Sequence, residues 1–565
     1  MKFRGSQAVV ALIVFHVIGC QSGSSERPGL KQDLRSDELP VPSAYIPPQC
    51  YTKTTDLEGK VHNPCFACHQ ASQQPNFIND DDLQLEYAFT ETAVLNPYTN
   101  LFVDRTKEVD AISDDWIDEY VAVDNYRAKD GTIDIAKTLE TVPSLWDANG
   151  NGSWDGYVPD IELRFDAEGF DITESGKPTG WRALAYAPFP GTFWPTNGSA
   201  GDVFIRLPEA FQTTVEGTES RAAYRINLAI IEALIKRETI QIDATNEETW
   251  GVDLNKNGQL DQAEEVVFDW APLKGRFMSY VGMAKVLQEQ GALKLAAGLY
   301  PVGTEFLHTV RYLEAQKDGS VTLARRLKEL RYSRKDSWRT YSQLQMAAHS
   351  EAREKEAFPD RLRAMAGSLE EGVKNGQGWT YAGFIEDSAG YLRPQTFQET
   401  TFCVGCHSGV GATDDSSFAF GRKFDHDSHA QGWYHWDQKS MAGAKEPMRA
   451  DGRGEYRFYL THNNTGNEYR TNEEVKAMLM TKDGKLRPDV FDLVQKDITS
   501  VIVPSAERAR ALNKAYRVIT NEQSFVHGRD ATVHPVTTVH RKVETGTPTG
   551  IETALTGPWV SAAPK

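Results

Sequence analysis

Two pentapeptides hold the residues most able to do chemistry. One is Cys65-Phe66-Ala67-Cys68-His69 in "HNPCFACHQ"; the other is Cys403-Val404-Gly405-Cys406-His407 in "TTFCVGCHSG". Each sets two thiols three positions apart, with an imidazole directly after the second. Three chemistries use thiols at this spacing. Structural zinc takes thiolates as ligands and closes its shell with four donors. A redox pair cycles between dithiol and disulfide. A c-type haem is tethered by both thiols, and the following imidazole binds its iron.

A single four-cysteine zinc site spanning both pairs leaves the histidine after each pair unexplained. Neither pair opens a helix after an apolar strand run, as a thioredoxin-like pair does. Haem accounts for all six residues. On these residues the chain resembles the dihaem c-type cytochromes, over the two motifs and their neighbours. The resemblance implies that Cys65 and Cys68 tether one haem with His69 as its proximal ligand. It implies the same roles for Cys403, Cys406 and His407 at a second haem. No motif marks the sixth ligands. His308, His426, His429, His435, His527, His534 and His540 are available, as are Met441 and Met448. His308 leads, because the apolar, strand-like "FLHTV" would otherwise bury an imidazole that needs a polar partner. Cys50 is left over, either as a buried thiol or as a thiolate ligand to iron.

A third signal lies in "DLNKNGQLDQAE". Asp253, Asn255, Asn257, Gln259, Asp261 and Glu264 fall at positions 1, 3, 5, 7, 9 and 12 of an EF-hand calcium loop, with Gly258 at the sharp turn. A related stretch, "DANGNGSWDGYVPD", offers Asp147, Asn149, Asn151 and Asp155. Its twelfth position is Val158, with Asp160 two residues on as a substitute acid.

The elements that carry these groups follow a leader. "MKFRGSQAVVALIVFHVIGC" has cations at Lys2 and Arg4 and an apolar run too short to span a bilayer. Its end resembles a lipobox. That resemblance implies cleavage before Cys20, lipid on Cys20, and, with Gln21 next, the outer membrane of a Gram-negative cell, facing the periplasm or the cell surface. The lipid would be the chain's sole membrane contact. A polar tether fills 21–44. The expected organisation is then a first haem segment (45–135), a calcium-loop region (136–270), a helical region (271–400), a second haem segment (401–450) and a C-terminal region (451–565). "VTLARRLKELRYSRK" and "QLQMAAHSEAREKEAF" read as amphipathic helices in the helical region, and the end of the chain reads as loosely ordered. The predicted class is mainly α with irregular loops and minor β, in a multidomain dihaem cytochrome.

Hydrophobic residues make up 40% of the chain and charged residues 25%, and the net charge is −18. An acidic chain with no basic tract excludes nucleic acid as a partner. Two functions fit. The first is an electron carrier between redox proteins, holding two covalent haems and calcium. The second is a dihaem peroxidase- or oxygenase-like enzyme with one open haem. The length favours an enzyme; the lack of a recognisable distal catalytic motif favours the carrier.

Overall fold

The computed structural model describes residues 27–76, 81–191, 194–466, 470, 472–530 and 534–557. The leader and Cys20 lie outside the described residues.

A nine-stranded sheet organises the chain. Its strands are β1 (Phe170–Ile172), β2 (Pro178–Leu184), β3 (Val203–Arg206), β4 (Glu305–Ala315), β5 (Val321–Lys335), β6 (Ala366–Ser368), β7 (Gly372–Lys374), β8 (Trp379–Glu386) and β9 (Leu392–Pro394). The order is β6-β7-β8-β5-β4-β3-β2-β1, with β9 pairing the far end of β8 on the edge that β7 also uses, and every pairing is antiparallel.

This sheet overturns the expectation of a mainly α chain with minor β: 31% of the structure is helix and 19% strand. The correction is largest in 271–400. That stretch holds six of the nine strands, and its helices before β9 are Gly282–Glu289 and Tyr341–Ala357. "VTLARRLKELRYSRK" is β5, not a helix. Leu323, Leu327 and Leu330 have helical spacing, but β5 is an inner strand whose central residues are buried on both faces. Such a strand loses its polar–apolar alternation, and packing overrides the helix propensity of its Leu, Arg and Lys residues. Register shifts near Arg311 also break the period of two.

The two faces of the sheet carry different cores. On one, Trp181, Phe204, Leu307, Leu330 and Phe384 pack with Leu34, Tyr126 and Trp146. Leu34 is buried and its amide donates to Leu145 O at 2.9 Å, so ordered structure begins ahead of residue 45. On the other face, Ile205, Phe306 and Tyr381 pack against α1 (Arg221–Lys236) and α2 (Phe397–Cys406). Helix α1 starts at Ser220, whose hydroxyl caps the amide of Ala223, and it buries most of its length. Helix α2 starts at a capping box between Thr396 and Glu399. The Glu399 carboxylate also takes both Nη groups of Arg393 at 2.8 Å.

Beyond the sheet lie the helices α3 (Glu455–His462) and α4 (Ala506–Glu522). The last described residues do not trail away. Thr52 bridges Val539, Leu95 bridges Lys542 and Glu86 bridges Pro548. Among the described residues no helix is long and apolar enough to cross a membrane.

Candidate functional site

The two cysteine motifs meet in space. The amide of Ala412, just past the second motif, donates to the carbonyl of Cys68 at 3.1 Å. Asn76 Nδ2 donates to Thr413 O at 3.1 Å. Two glycines permit the approach. A Cβ on Gly405 would stand 1.6 Å from the carbonyl oxygen of Tyr45, and one on Gly411 would stand 2.0 Å from that of Gln70. Between the motifs, Tyr98 packs edge-on against Phe402 with centroids 5.4 Å apart.

The second motif rides at the end of α2. His407 N donates to Cys403 O at 2.9 Å. The imidazole turns back so that Nδ1 lies 2.9 Å from the carbonyl of Ser416. That contact fixes the tautomer with hydrogen on Nδ1 and leaves Nε2 as the metal-binding nitrogen. Burial, reinforced by Arg331, pushes His407 down to about 4, so the ring is neutral at neutral pH. Its ring lies 5.2 Å from Tyr381 and 5.4 Å from Phe418.

Tyr381 belongs to the sheet face that α2 covers. One cross-strand row on that face runs Val203, His308, Arg331, Gly383. Burial and then Arg331 push His308 down to about 3, and His407 is close enough to add to that shift. Arg331 reaches the Cys403 thiol electrostatically. It donates to Glu329 Oε2 from Nε at 2.9 Å and to Oε1 from Nη2 at 3.1 Å. Arg529 Nη1 lies 3.3 Å from the same carboxylate. Against the pull of burial, these two guanidinium groups hold Glu329 down to about 2. Cys403, His407, His308 and Arg331 each keep part of their surface uncovered. A neutral imidazole directly after two thiols, with the rings of Tyr381 and Phe418 beside it, fits a tethered haem. Sequence reading missed Arg331, Glu329 and Arg529; the first two lie in the run read as an amphipathic helix, where charges pass for a solvated face.

The first motif sits on a short turn, Pro64–Ala67. Asn63 Nδ2 donates to Cys50 O at 3.1 Å and to Thr52 O at 2.8 Å, which sets Cys50 beside this motif. Cys65, like Cys403, is deep but partly uncovered. Phe66 packs 5.6 Å from the ring of His462, a residue the sequence did not single out. His462 Nδ1 lies 3.2 Å from Phe458 O, one turn back in α3. The His540 ring stands 5.7 Å from Tyr87, whose hydroxyl is close enough to Cys65 to feel its charge.

Most other sixth-ligand candidates are placed elsewhere. His426, His429, His527, His534 and Met448 are exposed. Met441 packs in the apolar clusters beside α3 and Trp436. His435 is ion-paired to Asp202 at 2.8 Å and to Asp437 at 3.2 Å.

The zinc and redox chemistries find no support here. Among the described residues, no three or more His, Cys, Asp and Glu side chains are gathered to hold a metal ion. The four motif cysteines therefore form no tetrathiolate. Burial pushes the Cys65 and Cys403 thiols up, whereas a reactive redox pair has a depressed thiol pKa.

The two calcium-type loops share one construction. Glu370 Oε1 accepts from Ala148 N at 2.5 Å and Oε2 from Asp155 N at 3.1 Å. Glu247 Oε1 accepts from Leu254 N at 2.5 Å and Oε2 from Asp261 N at 3.1 Å. Each loop thus has its second and ninth amides bound by one buried glutamate from outside the loop. Glu264 is exposed on the strand Gln262–Val266. Asp160 is engaged with Arg206 at 2.5 Å and Trp181 Nε1 at 2.9 Å. In both loops the first-position aspartate turns inward: Asp147 accepts from Gly150 N and Gly152 N, and Asp253 from Gly258 N. Asp253 Oδ1 is buried and makes no hydrogen bond. The side-chain amides of Asn149 and Asn151 donate to Asp155, and those of Asn255 and Asn257 to Asp261. Gln259 N donates to Asn257 Oδ1 at 2.8 Å, closing the turn.

A family model described as a "-like lipoprotein" matches residues 35–491, a span that includes both cysteine motifs and both loops. The chain belongs to this lipoprotein family. An uncharacterized lipoprotein of Aquifex aeolicus (strain VF5) is 29% identical over 559 residues, covering 90% of this chain and 89% of the relative. No solved structure matches the chain. Membership makes the protein a bacterial lipoprotein, exported and lipid-anchored, as the leader ending "VIGC" indicates.

Proposed function

We propose that this lipoprotein is a dihaem c-type cytochrome that passes electrons between redox proteins, held by its lipid at the outer membrane and facing the periplasm or the cell surface. The observation that carries the reading is the 3.1 Å hydrogen bond from Ala412 N to Cys68 O. It joins two haem-attachment motifs that lie in opposite halves of the sequence, and adjacent tethers are what a carrier needs for exchange within one chain. Bound haem supplies one-electron iron chemistry. The protein's own part is to tether, orient and shield. Cys65, Cys68, Cys403 and Cys406 would tether the two haems. Ser416 O orients His407, and the sheet face keeps water away from the second site. Arg331 and Arg529 outweigh the single charge of Glu329, and their excess positive charge favours the reduced state there.

The loops at 147–158 and 253–264 we read as calcium sites that brace the long connections around the sheet. Glu370 and Glu247 supply the closing carboxylates there, in place of a twelfth-position residue.

The test is a haem count. Pyridine haemochrome on the protein from a host that matures c-type cytochromes should give two covalent haems per chain. The double variant Cys403→Ala/Cys406→Ala should keep one. A wild-type protein without covalent haem overturns the reading.

A further inference from the structure

We infer that His308, on an inner strand of the sheet, is the sixth ligand of the haem tethered by Cys403 and Cys406, opposite His407. The inference rests on the dihaem reading above and deepens it, by closing the iron face that an enzyme would leave open.

Four observations converge. First, His308 projects from the sheet face that α2 covers. Its row neighbours Arg331 and Gly383 are fixed by register, and Tyr381, two residues from Gly383, touches His407. Second, His308 comes from the sheet and His407 from the end of the helix that covers that face, and the two are near enough to interact electrostatically. A motif-bound imidazole fixes one side of a porphyrin, so the other side must be met by a segment distant in sequence. Third, His407 already commits Nδ1 to Ser416 O, which aims Nε2 away from that carbonyl. Fourth, the other histidines in this half of the molecule are taken or remote: His435 is bound between two aspartates, and His426 and His429 are exposed.

A strand is a rigid mount for a ligand. Backbone pairing on both sides holds His308: Val203 on one neighbour and Arg331 on the other. Gly201 sits beside the ring: a Cβ there would stand 2.7 Å from His308 Cε1 and 3.1 Å from Nε2. Ligands held this way change little between oxidation states, which suits electron transfer more than substrate binding.

The experiment uses full-length, haem-loaded protein and reads haem count and spin state separately. Wild type should carry two covalent haems, with the second low-spin in absorption and EPR spectra. His308→Ala should keep both covalent haems while one of them turns high-spin, and added imidazole should restore the low-spin spectrum. His308→Met should stay low-spin with a raised potential for one haem, because thioether replaces imidazole; it decides the matter if the alanine variant does not fold. Two covalent haems with an unchanged low-spin spectrum in His308→Ala overturn the inference and leave the dihaem reading standing. An unchanged potential in His308→Met does the same. Absence of covalent haem from wild type overturns both.

Discussion

The carboxylate of Glu247 accepts the amide of Asp261 at 3.1 Å from outside the loop that Asp261 belongs to. The ninth position of the loop is thus tied to a residue that precedes the loop altogether, and Glu264 at the twelfth position is left facing solvent. Glu247→Gln should therefore weaken calcium binding and lower Tm much more than Glu264→Gln. Removing the charge from a buried acceptor of backbone amides costs about 1.5–3 kcal/mol, while an exposed strand substitution stays within about 0.5 kcal/mol. Calorimetric titration with calcium, and melting with and without chelator, checks this. Equal effects of the two variants would refute the assignment of the closing ligand.

The contact between the motifs has its own test. Gly405→Ala places a methyl group 1.6 Å from Tyr45 O, so the 44–51 segment must shift. Overpacking of this kind costs about 1–3 kcal/mol. Tm should fall, and exchange of electrons between the two haems should slow, measured by flash reduction of one site. An unchanged Tm would mean that the segment is not held against α2.

Beside the second motif the buried carboxylate of Glu329 pairs with the half-buried Arg331. Arg331→Met should cost about 1.5–3 kcal/mol, because it strips a buried carboxylate of its bidentate partner while Arg529 and Gln395 remain on it. Adding Glu329→Gln should recover much of that loss. The single variant should also lower the potential of the second haem, since a positive charge that favours the reduced form is gone. Chemical denaturation and a redox titration read the two effects separately.

His435 makes stability depend on pH. Against the downward pull of burial, Asp202 and then Asp437 raise its pKa to about 9. In the unfolded chain it returns to its ordinary value near 6.5. The ion pair therefore contributes fully below about pH 6.5 and loses its contribution as pH rises through about 9. His435→Gln should destabilise strongly at pH 6 and weakly at pH 10, measured as the difference in denaturation midpoint from wild type. A difference that grows with pH would mean that His435 is neutral in the folded state.

Local chemistry was the legible part of this sequence. The cysteine motifs, the oxygen-rich loops and the helices Arg221–Lys236 and Ala506–Glu522 announce themselves in short windows, because each depends on spacing within a few residues. The sheet did not. Its inner strands are buried on both faces, so β5 shows leucines at helical spacing and no alternation, and its identity depends on partners far away in the chain. Glu247 and Glu370 were invisible for the same reason, since a closing carboxylate outside its loop leaves no mark at the expected twelfth place. His308 was legible as an imidazole in an apolar strand, but its place on the sheet face that α2 covers depends on strand register.

The bridges from Thr52, Glu86 and Leu95 to residues 539–548 impose an order on biogenesis. In an exported chain the segment of the first cysteine motif emerges early, and the stretch that lies along it emerges among the last. During that interval Cys65 and Cys68 stand on an unfinished scaffold. Arrival of 539–549 completes it, with Asn63 N donating to Thr549 O at 2.7 Å. On the dihaem reading, that interval is when covalent attachment would take place.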